Sequence, residues 1–428
     1  MAERSAIVAG GGIGGLATAI ALSGRGWRVR VLERAPEFSE VGAGISLWSN
    51  ALRALAAIGP GIADRVRALG GAELYGGIQH RTGRWLSRAD AAELTRRYGP
   101  VILLHRADLL NALLDAVPPQ TLVAGTEVTG VRVDDDAVTV THTGGEERAD
   151  LLVGADGLRS TVRRLVWPDA PAPRYAGYTA WRWVAPPLPE GRDGGGESWG
   201  RGTRFGHAPL PDGRIYCYAT ANTPAGATAA PDEAAAGQAR TGEAAAGEAA
   251  ELRARFGDWH APIPALVDAA AGTEILRHDL YELPDLRSYA RGRVALLGDA
   301  AHAMTPNLGQ GACQALEDAA TLGAVLDTRP DRPTVSAVPG TEPRMVGSRL
   351  DERPDVVDAL VRYDALRRPR TQEIVKRSRQ MGAMGQWSWP PAVALRDRLL
   401  PLVPASAALR IIAPVLAWPP PGLLPPPS

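Results

Sequence analysis

The feature that most constrains this chain is a glycine pattern set between an apolar strand and a helix. Ala6 to Ala9 read as a strand, Gly10, Gly12 and Gly15 form G-x-G-x-x-G, and Leu16 to Ser23 read as a helix ended by Gly24 to Gly26. Arg28 to Leu32 read as a second strand, with Glu33 and Arg34 at its end. Each element has a physical purpose. The first glycine permits a tight turn, the second lets backbone approach a pyrophosphate, and the third lets the helix pack on the strand. Free N–H groups and the dipole at the helix start then favour the phosphates. A carboxylate at Glu33 suits a ribose diol and disfavours a 2′-phosphate, which points to FAD or NAD over NADP.

Composition narrows the alternatives. Forty-seven basic and forty-seven acidic residues balance to zero net charge, so no broad basic field awaits nucleic acid or anionic lipid. Lys376 is the sole lysine, and Cys217 and Cys313 are too few for a disulfide or metal framework, so both are expected as buried, reduced thiols. The N-terminal residues lack signal-peptide architecture, so a cytoplasmic location is the default expectation. The apolar run Leu399 to Trp418 is interrupted by Pro401, Pro404, Arg410 and Pro414, and a docked terminal helix pair is expected there.

Further helices are predicted over Asn50 to Ala57, Arg106 to Asp115 and about Gln310 to Leu326, with helical pattern resuming at Asp355. Leu122 to Val140 alternates like paired strands around Asp134 to Asp136, and Asp150 to Gly154 and Arg293 to Leu297 read as buried strands. Tyr175 to Tyr218 has the aromatic, turn-rich texture of a sheet lining a pocket. Ala221 to Ala250 is low-complexity, a weak helix or an insertion, and Thr328 to Pro354 reads as a loop.

Two later segments add specificity. With Leu151 to Arg163 (LLVGADGLRSTVR) and Arg293 to Ala319 (RVALLGDAAHAMTPNLGQGACQALEDA), the chain resembles the FAD-dependent aromatic hydroxylases and epoxidases, from about Ser5 to Arg379. The resemblance implies an α/β fold: a Rossmann-like FAD-binding domain, a parallel sheet with helices, interleaved with a mixed-sheet substrate domain, plus C-terminal helices. Its expected boundaries are 1–72, 100–172 and 286–385 for the FAD-binding domain, 73–99 and 173–285 for the substrate domain, and 386–428 for a helical, proline-rich tail. The implied chemistry uses noncovalent FAD, NADH or NADPH as transient donor and O2. A flavin C4a-hydroperoxide then hydroxylates or epoxidises a small aromatic or polyene-like molecule. The expected protein is a monomer or homodimer without a nucleic-acid partner, and peripheral membrane contact of the apolar C-terminal run stands as the alternative to a docked helix pair.

The resemblance also assigns residues. Asp299, after Gly298, matches an aspartate that accepts from a ribityl hydroxyl, although an aspartate there could equally cap the following helix. It is expected to matter more to FAD retention than Glu317 or Asp318, farther along the next helix. Pro306, Gly309 and Gly311 match the turn and helix start beside the isoalloxazine, with Pro306 as a rigid wall. Asp156, before Gly157, is expected to anchor neighbouring backbone, Arg106 to reach FAD, and Gly42 and Gly44 to let a loop pass close to the flavin. His302 is read as a hydrogen-bonded structural histidine. No side chain is assigned as nucleophile or base, and no metal is expected.

The substrate side rests on alternation. Trp181 and Trp183 share one face of a strand, as do Tyr216 and Tyr218, and these four are the expected pocket residues, with core packing an equal alternative for each. Trp181 to Pro186 also approximates a W-x-W-x-I-P signature of flavin-dependent halogenases, so a halogenase and an FAD oxidase stand as alternatives.

Overall fold

A computed structural model of the chain describes residues 4–38, 44–72, 75–188, 194–226, 239–240, 242–327 and 355–421. Gly42, part of the low-complexity segment and the loop from 328 to 354 lie outside the described residues.

The first strand, Ser5–Ala9, is apolar and buried because it lies inside a six-stranded sheet. The order is Ala290–Arg291, Val294–Leu296, Leu151–Gly154, Ser5–Ala9, Arg28–Leu32 and Leu122–Val123, parallel except for the first pair. Ile7 pairs with Leu152, and Val8 with Val31. The helix Ile13–Ser23 is buried along most of its length and packs against Gly311–Val325. Small residues permit the close approach, with Gly323 against Ala21. All four parallel strands that matter end at one sheet edge, bringing Gly10, Glu33, Asp156 and Asp299 together where open α/β sheets bind ligands.

An eight-stranded mixed sheet stands beside this layer. Its order is Ala239–Arg240, Ile275–Glu282, Arg174–Ala185, Ile215–Asn222, Thr203–Pro209, Gly195–Trp199, Tyr75–His80 and Trp85–Arg88. One face is covered by the helices Gly242–Phe256 and Ile263–Ala270. Trp181, Trp183, Phe205, Cys217, Phe256 and Trp259 form the core between them. The other face looks into a cavity.

This arrangement corrects the expected role of Trp181 and Trp183. They do share a face, but it is the core face: Trp181 is 0% and Trp183 1% exposed. The Trp181 indole donates to Glu248 at 2.8 Å and that of Trp183 to the Leu266 carbonyl at 3.2 Å. Phe205 meets Trp183 edge-on at 5.6 Å. The near-match to a halogenase signature is therefore a strand packed on helices, and Lys376 is an exposed residue of the helix Val356–Gly385.

Helix Val356–Gly385 ties the two layers together. Its 30 residues extend roughly 45 Å. Tyr363 donates to the Leu296 carbonyl in the parallel sheet, and Gln386, just past the helix end, donates to Thr220 in the mixed sheet. Two shorter helices, Pro390–Leu399 and Ala405–Leu416, follow with a 96° bend between them. Among the described residues no single helix is long and apolar enough to cross a membrane. Both cysteines are buried, and burial raises their thiol pKa values.

Candidate active site

Between the two layers lies a cavity of about 1150 Å³. That exceeds the roughly 300–1,000 Å³ of an ordinary small-molecule site, as a dinucleotide with a substrate beside it requires.

The glycine turn forms its first wall. Gly10 has φ +105°, and a Cβ there would stand 2.4 Å from the Ala155 carbonyl oxygen. At Gly15 a Cβ would meet the Gly10 carbonyl oxygen at 1.9 Å, so helix and turn approach only without side chains. Gly12 faces open space on the cavity side. Glu33 lines the cavity and accepts from the Gly11 amide at 2.7 Å and the Ala35 amide at 2.9 Å, which holds the turn and the second strand in register. Arg34 lines the same end.

Two helices point uncapped starts at this cavity. Ile13–Ser23 begins after Gly12 and Gly311–Val325 after Gln310, with no side-chain cap and no acidic residue in either first turn. Free amides and the dipole thus face the cavity at two places, suited to phosphate at one and developing negative charge at the other. Trp48 Nε1, Gln310 Nε2 and Arg204 Nε belong to residues that line it, and are buried without a hydrogen-bond partner among the described residues. Such orphaned donors match a ligand rich in acceptors, and the donor set as a whole fits FAD.

The remaining assigned residues occupy definite places. Asp299 is the first residue of the short helix Asp299–His302, exposed to the cavity, with Gly298 and not Asp299 at the N-cap. It therefore does not act as a cap. Asp156 accepts from Ser160 and from the Val162 amide at 3.0 Å, bracing its own loop while lining the cavity. Arg106 opens the helix Arg106–Leu114 at the cavity wall, and Gly44 lies against the Tyr216 ring. Pro306, Gly309 and Gly311 line the cavity too, in the turn and helix start that Asn307 ties to the mixed sheet. His302 is buried, with Nε2 at 2.6 Å from Asp318.

Glu317 and Asp318 prove to be more than helix-filling residues. Both are fully buried. Asp318 accepts from the Gly298 amide at 2.9 Å and from Arg367 at 2.6 Å. Burial alone would raise its carboxyl pKa, but His302 and Arg367 outweigh that and bring it down to about 2. Glu317 accepts from Asn50, Gln314, Arg367 and Arg370.

The mixed sheet supplies the second wall. Tyr216 and Tyr218 line the cavity, their rings 5.9 Å apart. The Tyr218 hydroxyl donates to Glu197 at 2.7 Å, Arg204 donates to Glu197 at 3.2 Å, and Arg204 also donates to Asn307 at 2.6 Å. Burial opposes the Arg204 charge, but Glu197, Tyr178 and Tyr218 together outweigh it and raise the guanidinium pKa. Asn307, beside Pro306, is held in turn by the Ser378 carbonyl at 2.9 Å. On the far side Arg182 donates to His278 at 2.7 Å. Sequence reasoning missed Arg182, Glu197, Arg204, His278 and Asn307. Only Arg182 had a signal in the sequence: it sits between two indoles that share a face, so alternation turns it the other way.

The sequence model of the family described as FAD binding domain matches residues 3–184 and 268–328. The chain belongs to the FAD-dependent aromatic hydroxylase and epoxidase family. The aurachin C monooxygenase/isomerase of Stigmatella aurantiaca is 39% identical, over 92% of this chain and 93% of that one. The 2-heptyl-3-hydroxy-4(1H)-quinolone synthase of Pseudomonas aeruginosa (strain UCBPP-PA14) is 33% identical, over 95% and 96%. Among solved structures, Klebsiella pneumoniae HpxO complexed with FAD and uric acid superposes with a TM-score of 0.79 at 29% identity, covering 97% of each chain. This FAD-dependent monooxygenase therefore acts with FAD on a small molecule, and the relatives lend no support to a halogenase or an oxidase. FAD supplies the redox and oxygen-activating chemistry, and the chain's own residues bind, orient and exclude water.

Proposed function

We propose that this monooxygenase hydroxylates a fused bicyclic nitrogen heterocycle that carries a carbonyl or hydroxyl oxygen on the ring and an apolar chain. The observation that carries the reading is the polarity gradient of the cavity. Arg182, Glu197, Arg204 and His278 gather on the sheet wall, whereas Met381, Met384, Leu409, Ile412 and Val415 line the end formed by the C-terminal helices. A polar ring at one end and a hydrocarbon chain at the other would satisfy both. The relatives' ligands agree in outline: uric acid and a heptyl-quinolone are both fused nitrogen heterocycles with carbonyl oxygens on ring carbons.

In this reading Gly10, Gly12, Gly15, Glu33 and Arg34 hold the adenosine and pyrophosphate of FAD, with Arg106 reaching the cofactor and Asp156 bracing its loop. Asp299 accepts from the ribityl chain, while Gly44, Pro306, Gly309 and Gly311 flank the isoalloxazine. Tyr216 and Tyr218 provide a flat wall for the substrate ring. The net reaction balances as substrate, O2, NAD(P)H and a proton giving hydroxylated substrate, water and NAD(P)⁺. The test is a screen of NAD(P)H oxidation against 4(1H)-quinolones of increasing 2-alkyl length and against salicylate. Stimulation that grows with chain length, with a product heavier by one oxygen, is the expected outcome. Preference for salicylate, or indifference to the chain, contradicts the proposal.

A further inference from the structure

The cavity-facing side of the mixed sheet carries two guanidinium groups in very different circumstances. Arg204 is neutralised by Glu197 at 3.2 Å. Arg182 has His278 as its hydrogen-bond partner among the described residues. A guanidinium has no acceptor, so at 2.7 Å the imidazole Nε2 must accept, which leaves Nδ1–H as a further donor. Burial, then Arg182, then Arg106, pull the His278 pKa down to about 3, so the ring is neutral and offers Arg182 no countercharge. Asp279, the carboxylate next to His278, is committed to Thr179 at 2.6 Å and to the Gly226 amide at 2.8 Å. A partly buried cation without a balancing anion is costly unless a ligand supplies the acceptor.

We infer that Arg182 and His278 form the receptor for an oxygen substituent on the substrate ring, selecting an aromatic ring whose oxygen is a carbonyl, an enolate or a phenolate. The inference deepens the substrate reading above and rests on it. Position favours substrate over cofactor. Arg182 lies in cross-strand register with Tyr218, and Tyr218 in register with Gly206, so the receptor continues the wall of the two tyrosines. The glycine turn, which suits the phosphates of the cofactor, belongs to the other sheet, at the ends of its parallel strands. An aromatic ring laid against Tyr216 and Tyr218 brings a substituent oxygen to Arg182, while Arg204 remains engaged by Glu197 and Asn307. A strong, charge-assisted hydrogen bond also favours the ionised or enolic form of that oxygen, which makes the ring a better electron donor towards an electrophilic oxygen atom.

The test uses oxidised, FAD-loaded enzyme without NAD(P)H and reads equilibrium binding from the flavin absorbance. Two ligand pairs are compared: 4(1H)-quinolone with quinoline, and 1-naphthol with naphthalene. The wild type should bind the oxygenated member of at least one pair more tightly. Arg182→Gln should weaken that member ten- to hundredfold, the range of a charge-assisted hydrogen bond, and leave the oxygen-free member within about twofold. Arg182→Lys should recover part of the preference, since it keeps the charge without the fork. His278→Gln should reduce the preference less than Arg182→Gln. FAD retention and the KM for NADH should stay unchanged in each variant. No preference in the wild type for either oxygenated ring overturns the inference, as does equal weakening of both pair members. Loss of FAD or a raised KM for NADH in Arg182→Gln, with ligand binding intact, assigns the site to a cofactor and overturns it equally. The naphthol pair contains no nitrogen, so failure of the heterocycle proposal alone leaves this arm readable.

Discussion

The amide of Gly298 donates at 2.9 Å to the carboxylate of Asp318, a residue buried in the helix behind the turn. The turn that presents Asp299 to the cavity is thus held from the core side by a charge network that also contains His302 and Arg367. Asp299 and Asp318 are separated by this division of labour, and their variants should differ in kind. Asp299→Ala should weaken FAD binding about ten- to hundredfold, as loss of one charge-assisted hydrogen bond does, with apoprotein stability nearly unchanged. Asp318→Asn should destabilise the protein by about 3–5 kcal/mol, because it leaves Arg367 buried without one of its partners. FAD titration and urea unfolding of both variants check the pair, and equal stability losses would contradict it.

Trp183→Ala should cost about 3–5 kcal/mol of stability and leave substrate preference as it is. The indole is 1% exposed in a core with Phe205 and Leu266. Thermal melting together with the quinolone screen measures both quantities. A stable variant with altered preference would return Trp183 to the pocket.

Gly206 separates Tyr218 from Glu197 across three strands, and a Cβ there would stand 2.0 Å from the Tyr218 ring. Gly206→Ala should therefore displace Tyr218 and break its bond to Glu197, giving the same kinetic defect as Tyr218→Phe. The expected signature in both is a raised share of NAD(P)H oxidation ending in hydrogen peroxide. A normal peroxide yield in Gly206→Ala, with a defective Tyr218→Phe, would show that the ring has room to move.

His278 gives a stability term with a definite sign. Its folded pKa, about 3, lies below the ordinary value of 6.5, so the unfolded chain takes up the proton first as pH falls. The group therefore weakens folding progressively from pH 6.5 down towards 3. Between pH 7 and 5 the wild type should lose up to about 2 kcal/mol more than His278→Asn, at 1.36 kcal/mol per unit. Urea unfolding at the two pH values measures the difference, and parallel losses would contradict a neutral His278.

Much of the cofactor side was legible because its constraints are local. Gly10, Gly15 and Glu33 act through a turn, a close approach and a register bond among residues near in sequence, and the strands and helices around them follow from apolar runs and breakers. The substrate wall was legible only up to a twofold choice. Alternation placed Trp181 with Trp183 and set Arg182 opposite, but which face met the cavity was decided by the helices Gly242–Phe256 and Ile263–Ala270, distant in sequence and partly alanine-rich. Glu317 and Asp318 were unreadable for the same reason. Their partners Asn50, His302 and Arg367 come together only through tertiary packing.

This chain inserts one atom of O2 into an organic substrate, with NAD(P)H as reductant and FAD as bound cofactor. The most direct measurement is mass spectrometry of the product formed under isotopically labelled O2, with NAD(P)H consumption followed in parallel. The account predicts one labelled oxygen per product molecule, approaching one NAD(P)H per product, with the label absent when labelled water replaces labelled O2. Product whose new oxygen derives from water, or NAD(P)H oxidation that yields hydrogen peroxide alone with every active ligand, would contradict it.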